Sequence, residues 1–140
     1  MGEKRESVFK QEIGKNRLEF LFDGIFAIAM TLLVLELRLP ELKDHHSVSE
    51  LSQALLHHGR IFFGYILSFF ILSGFWVGHN RIYRHLQRIN RPVLLIHFWL
   101  LATAAFFPFC AHLYGRYPSN ALATLIYFGG VFAYLLGMLA

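Results

Sequence analysis

Arg17-Leu18-Glu19-Phe20-Leu21-Phe22-Asp23-Gly24-Ile25-Phe26-Ala27-Ile28-Ala29-Met30-Thr31-Leu32-Leu33-Val34-Leu35-Glu36 contains an almost uninterrupted apolar run bounded by two acids, Asp23 and Glu36, and preceded by Arg17. A carboxylate inside or at the rim of a membrane helix is costly. It is normally kept for a partner, a water-filled path or an ion. Outward from this stretch the chain keeps the same character. Of its 140 residues 56% are hydrophobic, 15 are Phe and only 16% are charged, against about 25% charged in an ordinary soluble domain. The apolar residues fall in long blocks, and a membrane-crossing helix needs about 20 of them. The blocks predict four spans, at approximately residues 18–37, 51–78, 93–115 and 119–140. The expected fold is an all-α integral membrane protein with four transmembrane helices in one membrane domain covering residues 1–140.

The first run also has the apolar core of a secretory signal. The residues before it are many and mixed in charge, however, and Arg38-Leu39-Pro40-Glu41 follows in place of a small-x-small cleavage site. The net charge of +4 is explained by topology and needs no nucleic-acid partner. Lys4, Arg5, Lys10, Lys15 and Arg17 precede the first span, and Arg81, Arg84, Arg88 and Arg91 lie between the second and third. Arg38 and Lys43 in the first loop are offset by Glu41, Asp44 and Glu50, and the loop near residue 117 has only Arg116. Basic residues mark the cytoplasmic side, which predicts a multi-pass cell-membrane protein with its N-terminus in the cytoplasm.

Residues 1–16 are polar and read as an interfacial helix. Pro40 is expected to end the first span. Paired His45 and His46 sit in a short polar loop, and Ser47 with Glu50 has the spacing of a capping box. Helix two is expected to run from about Ser49 to the His79 region and to continue as a basic stalk carrying Arg81, Arg84, Arg88 and Arg91. Pro92 would mark its end. Pro108 is expected to kink span three, and Tyr117-Pro118 to turn the chain into span four. The chain stops at Met138-Leu139-Ala140 inside an apolar run, which reads as a C-terminal truncation.

Few residues suit chemistry. Cys110 is single and lies in an apolar span, so it reads as a small buried side chain. No His-Glu-x-x-His or Cys-x-x-Cys pattern supports zinc, and Ser68 and Ser73 have no evident base. No metal site and no cofactor are expected. On a helical wheel Ile28, Thr31, Leu32 and Leu35 share roughly a quarter to a third of the circumference of helix one. Around a symmetry axis such a face makes hydrophobic rings that close a pore by dewetting, with a hydroxyl ring between them. It also suits ordinary helix packing. Asp23 projects elsewhere and reads as an inter-helix clamp, with Arg17, Arg81 and His79 as candidate partners. Trp76 belongs to the aromatic belt at the end of span two. A proton pathway or proton-coupled carrier using Asp23, His79 and Glu36 is the competing reading of the same polar residues.

The stretch Arg17–Glu36 resembles the first helix of the transmembrane protein 175 family, prokaryotic branch. Those proteins open Arg-x-x-x-Phe-Ser-Asp-Gly and continue Val-Phe-Ala-Ile-x-x-Thr-Leu-Leu-x-Leu-Glu. Phe75-Trp76 with His79-Asn80-Arg81 and Arg84 is similar to the end of that family's second helix, and Phe106-Phe107-Pro108-Phe109 to its third. The resemblance covers most of Arg17–Pro108. It implies a homotetrameric potassium-permeable channel in the lipid bilayer, with six helices per subunit, helix one lining the pore and no Thr-Val-Gly-Tyr-Gly filter. It further implies Ile28 as the main constriction, Leu32 and Leu35 as further rings, Thr31 as the selectivity hydroxyl, and Arg17, Asp23, Trp76 and His79 as a structural polar network, beside Arg81. The chain departs from the family at Leu21-Phe22-Asp23, where the serine is Phe22, and in having four spans.

Overall fold

The computed structural model describes residues 2–38, 41–44, 46–86 and 91–139, with side chains from residue 14 onward except that of Glu36. The expectations placed on Pro40, His45 and Arg88 lie outside those residues, as do those on the side chains of Lys4, Arg5, Lys10 and Glu36. In chain order the elements are α1 (Gly2–Leu32), a 3-10 turn (Leu33–Glu36), α2 (Val48–His57), α3 (Gly59–His85), α4 (Arg91–Arg116) and α5 (Ala121–Leu139). Among the described residues there is no strand. Gly14–Leu35, Gly59–His85, Arg91–Arg116 and Ala121–Leu139 are long and apolar enough to cross a membrane. The protein is an all-α, multi-pass membrane protein.

Two boundaries differ from expectation. Helix one does not stay α-helical to residue 37: it tightens into the 3-10 turn after Leu32, and Leu37 N–H closes the turn on Val34 O at 3.1 Å. Such tightening is common at helix ends, where the last carbonyls lose their partners. Helix two is not continuous from residue 49. His58 interrupts it, with its ring Nδ1 2.7 Å from Ala54 O and its backbone N–H on the same carbonyl. The His58 carbonyl then accepts from Ile61 N–H at 2.9 Å and starts α3. One residue therefore caps α2 and opens α3. The membrane crossing begins at Gly59, and α2 buries none of its residues.

Local chemistry explains the remaining ends. Ser47 accepts from Glu50 N–H at 3.2 Å, the first half of a capping box. The second half is replaced: the Glu50 carboxylate accepts instead from Lys43 N–H at 2.9 Å and Asp44 N–H at 3.0 Å, closing the preceding loop. Pro92 sits in the first turn of α4, where its missing N–H needs no partner. Pro108 lies within α4, which continues as one helix to Arg116. Asn120 Oδ1 accepts from Leu122 and Ala123 N–H and caps α5. The 27 residues of α3 make a rod about 40 Å long, longer than the hydrocarbon layer, and Arg81 and Arg84 fall in its last two turns.

Helix α4 is central and packs against α1, α3 and α5. Its Leu100, Leu101, Ala104, Phe107 and Cys110 meet Phe22, Phe26, Ala29 and Leu33 of α1 and the turn, Leu72 and Phe75 of α3, and Tyr127 and Tyr134 of α5. Aromatic rings fill this core. Phe75 stacks on Tyr134 at 4.0 Å between centroids, and the Tyr134 hydroxyl donates to Phe75 O at 3.2 Å. The Tyr127 hydroxyl is 3.1 Å from Ser68 Oγ. Each buried tyrosine thus satisfies its polar tip within the bundle.

Two outcomes follow from this packing. A Cβ at Gly137 would meet Trp99 Cδ1 and Leu100 Cδ2 at 2.8 Å, whereas one at Gly129 meets nothing within 4 Å. Gly137→Ala should lower unfolding stability in detergent by about 1–2 kcal/mol through overpacking, with Gly129→Ala near neutral in the same thermal melt. The two backbone N–H groups on Glu50 hold its carboxyl below the ordinary carboxylate range. A lowered folded-state value means the contribution is present above the free-carboxyl value and is lost as pH falls through the lowered one. Hydrogen-exchange protection of the Lys43 and Asp44 amides should fall in that acid range, and Glu50→Ala should remove it at neutral pH.

Candidate functional site

Helix α1 has two distinct faces. Leu18, Phe22, Phe26, Ala29 and Leu33 recur every three or four residues and are all buried. The face carrying Ile28, Thr31, Leu32 and Leu35 lies roughly 130° around the helix and is exposed. Ile28 is 60%, Leu32 42% and Leu35 65% accessible. None of the four packs into the core of the chain. Because the chain winds as a 3-10 turn from Leu33, residues three apart eclipse, which brings Leu35 over Leu32. The Thr31 hydroxyl donates back to its own helix, 2.8 Å from Ile28 O and 3.0 Å from Ala27 O. Its oxygen lone pairs remain available as acceptors.

From Ala27 onward the exposed face of α1 also differs in composition from those of α3 and α5, although nearer its middle the helix exposes Phe20. Between Ala27 and Leu35 its exposed residues are aliphatic or small, whereas α3 exposes Phe63 and Phe70, and α5 exposes Phe128 and Phe132.

The structure joins only part of the expected polar network. Asp23 Oδ1 accepts from the Trp76 indole N–H at 2.7 Å. Arg17, Arg81 and His79, the partners expected for Asp23, do not reach it. The side chains of Arg17 and Arg81 are exposed and make no hydrogen bond or ion pair among the described residues, and the Arg81 backbone carbonyl lies 2.7 Å from His85 Nδ1. His79 is buried and lies face to face on Phe22, with ring centroids 3.3 Å apart. The physical reason is the ring at position 22: the aromatic side chain covers the imidazole that the expected network assigned to Asp23. Behind it His97 meets His79 edge-on at 5.1 Å, and Tyr83 lies 5.3 Å from His97. Among the described residues neither His79 Nε2 nor His97 Nε2 has a hydrogen-bond partner, and both residues border a cavity of about 160 Å³ between α3, α4 and α5.

A second clamp was not legible in advance. The Tyr83 hydroxyl donates to Lys15 O at 2.6 Å, and Lys15 Nζ donates to Leu86 O at 2.9 Å, with the ammonium 5.2 Å from the centre of the Tyr83 ring. These contacts fasten the N-terminal half of α1 to the C-terminal end of α3. The available signal was the four-residue spacing of His79 and Tyr83, which puts both on one face of α3. Among the described residues no group of three or more His, Cys, Asp or Glu is placed to hold a metal ion.

The profile of a known family, described as the endosomal/lysosomal potassium channel TMEM175, matches residues 17–108. The chain belongs to the TMEM175 family. It is 34% identical over 116 residues to a potassium channel of Chamaesiphon minutus, covering 81% of this chain and 57% of that protein. It is 26% identical over 136 residues to the human endosomal/lysosomal proton channel TMEM175, covering 87% of this chain and 27% of the human one. The crystal structure of a lysosomal potassium-selective channel TMEM175 homolog from Chamaesiphon minutus matches with a TM-score of 0.78 at 30% identity, over 89% of this chain and 68% of that one. The chain spans about half the length of the bacterial relatives. The TMEM175 profile covers both the two-faced helix α1 and the Trp76 end of α3.

If the Asp23–Trp76 hydrogen bond is a clamp, the two residues are energetically coupled. A double-mutant cycle with Asp23→Asn and Trp76→Phe, read by thermal unfolding in detergent, should give a coupling of about 1 kcal/mol. The same cycle with Arg81→Gln in place of Trp76→Phe should give none.

Proposed function

We propose that this TMEM175 chain forms a potassium-permeable channel in which ions pass down their gradient along a pore lined by α1. The observation that carries the reading is the exposure of the Ile28, Thr31, Leu32 and Leu35 face while the Phe22 and Phe26 face of the same helix is packed. Over residues 27–35, which carry this face, no aromatic ring is exposed, a restriction that contact with lipid alone would not impose. The exposed faces of α3 and α5 carry such rings. A narrow axis shared by several copies does need slender side chains. Its relatives in Chamaesiphon and Streptomyces are named potassium channels, which supports the same assignment.

In this reading four copies assemble as a homotetramer around α1. Ile28 forms the main apolar constriction, and Leu32 and Leu35 form further rings. Rings of branched aliphatic side chains close a path by dewetting, without a moving plug. Thr31 lies between Ile28 and Leu32 with its hydroxyl proton on the helix backbone. A ring of its oxygens can replace part of the hydration shell of a potassium ion. Asp23 and Trp76 set the rotation of α1 rather than contacting the ion, with Arg17, His79 and Arg81 nearby in the sequence. The function needs no catalytic group, cofactor or bound metal beyond the permeant ion. By the distribution of Lys and Arg, the protein lies in the cell membrane with the N-terminal end of α1 in the cytoplasm. The descriptions of the vertebrate relatives as proton channels favour a second reading, a proton path through Asp23 and His79. Such a path needs these two groups in relay, and Asp23 is bonded instead to an indole that cannot accept a proton.

Reconstitution in liposomes with an outward potassium gradient tests the proposal. Potassium flux above that of empty vesicles is expected, and its absence would reject the channel reading. Ile28→Asn should raise the flux on the order of tenfold, the response to a barrier lowered by about 1.4 kcal/mol. A flux unchanged by this substitution would place Ile28 away from the ion path.

A further inference from the structure

The end of the bundle opposite the Asp23–Trp76 clamp has a feature that ion conduction does not use. A cavity of about 130 Å³ opens between the 3-10 turn, the start of α3 and the end of α4. Leu33, Leu37, Ile61 and Gly64 form apolar walls, Tyr65, His112 and Tyr114 add polar tips, and Arg38 and Arg116 line the same space. The two guanidinium groups come from different elements. Arg38 follows the first crossing, and Arg116 is the last residue of α4. Both are exposed, and neither makes an ion pair among the described residues. Arg116 lies over the Tyr117 ring at 5.9 Å, which leaves its donors available. The Ser68 hydroxyl at the same cavity is already engaged by Tyr127.

We propose that this cavity binds one anionic glycerophospholipid, with its phosphate held by Arg38 and Arg116 and its glycerol and upper acyl segment on the apolar walls. The depth is right for such a ligand. Both arginines stand where membrane-crossing helices end, at the level of the headgroups. The charge is right, because two cations that make no ion pair among the described residues line one opening. Guanidinium groups suit phosphate oxygens, which accept paired N–H donors. The walls favour a lipid over free phosphate, since a small hydrated anion gains nothing from the apolar sides of Leu33, Leu37 and Ile61. A lipid in this position links the end of the first crossing to the end of α4.

Native mass spectrometry of the full chain in a neutral detergent tests the site, with dioleoyl phosphatidylglycerol as probe and dioleoyl phosphatidylcholine and inorganic phosphate as comparisons. Phosphatidylglycerol should be retained in preference to phosphatidylcholine. Arg38→Gln and Arg116→Gln should each weaken its binding about fivefold, and the double variant about twenty-fivefold, from the contribution of one basic residue near an anionic lipid surface. A side chain at Gly64 meets no atom within 4 Å, so Gly64→Leu fills the cavity without disturbing the helix and should weaken binding with both arginines intact. Arg84→Gln, at the other end of α3, should have no effect. Unchanged binding in the double arginine variant would overturn the proposal. Full binding by Gly64→Leu would overturn it too, because the lipid would then be held on the surface and not in the cavity. Displacement by an equal concentration of inorganic phosphate would show a free-anion site instead.

Discussion

The rotation of α1 about its own axis is the constraint on which the other features depend. In a bilayer, lipid tails are as apolar as leucine, so burial in the bundle gains little over burial in lipid. What holds one helix face against its neighbours is close packing together with a few polar contacts. Phe22, Phe26, Ala29 and Leu33 provide the packing, fitted against α3 and α4. Once that face is engaged, the angular spacing of the helix dictates that Ile28, Thr31 and Leu32 point out of the chain. The 3-10 turn then carries Leu35 into line with Leu32.

Polar contacts reinforce the rotation from one end. Asp23 meets Trp76, and Tyr83 with Lys15 ties α1 to the close of α3. In low dielectric an unpaired carboxylate is expensive, so Asp23 engages the donor within reach, and that donor is an indole. The Phe22 ring lies on His79, which separates the imidazole from the carboxylate. Where the family signature has a hydroxyl, this chain uses an aromatic stack, and the inter-helix link at that level is one of shape.

Much of this was legible in the residues. The four crossings follow from blocks of apolar residues that no soluble helix would carry on every face. Asp23 announced an inter-helix contact because a membrane acid needs one. The Ser47 cap was evident, since the motif is local. The break at His58 was not, because apolar residues continue on both sides of it and a single capping ring leaves no periodic trace. Nor was the partner of Asp23. Arg17, Arg81, His79 and Trp76 all belong to the same end of the bundle by charge and spacing, and only the relative rotation of α1 and α3 selects among them.

The amino-acid sequence by itself determined that this is a helical membrane protein of the TMEM175 type, with an aliphatic stripe and one acid on its first helix. These properties are set by residues close together in the chain, through transfer free energy and helical period. Tertiary structure alone decided which face of α1 is packed and which is left open, that Asp23 pairs with an indole, that two histidines lie buried behind Phe22, and that Arg38 and Arg116 share a cavity. Each of these depends on how separate helices rotate and slide against one another. In an apolar solvent that is governed by the fit of side chains distant in sequence, which no local pattern records.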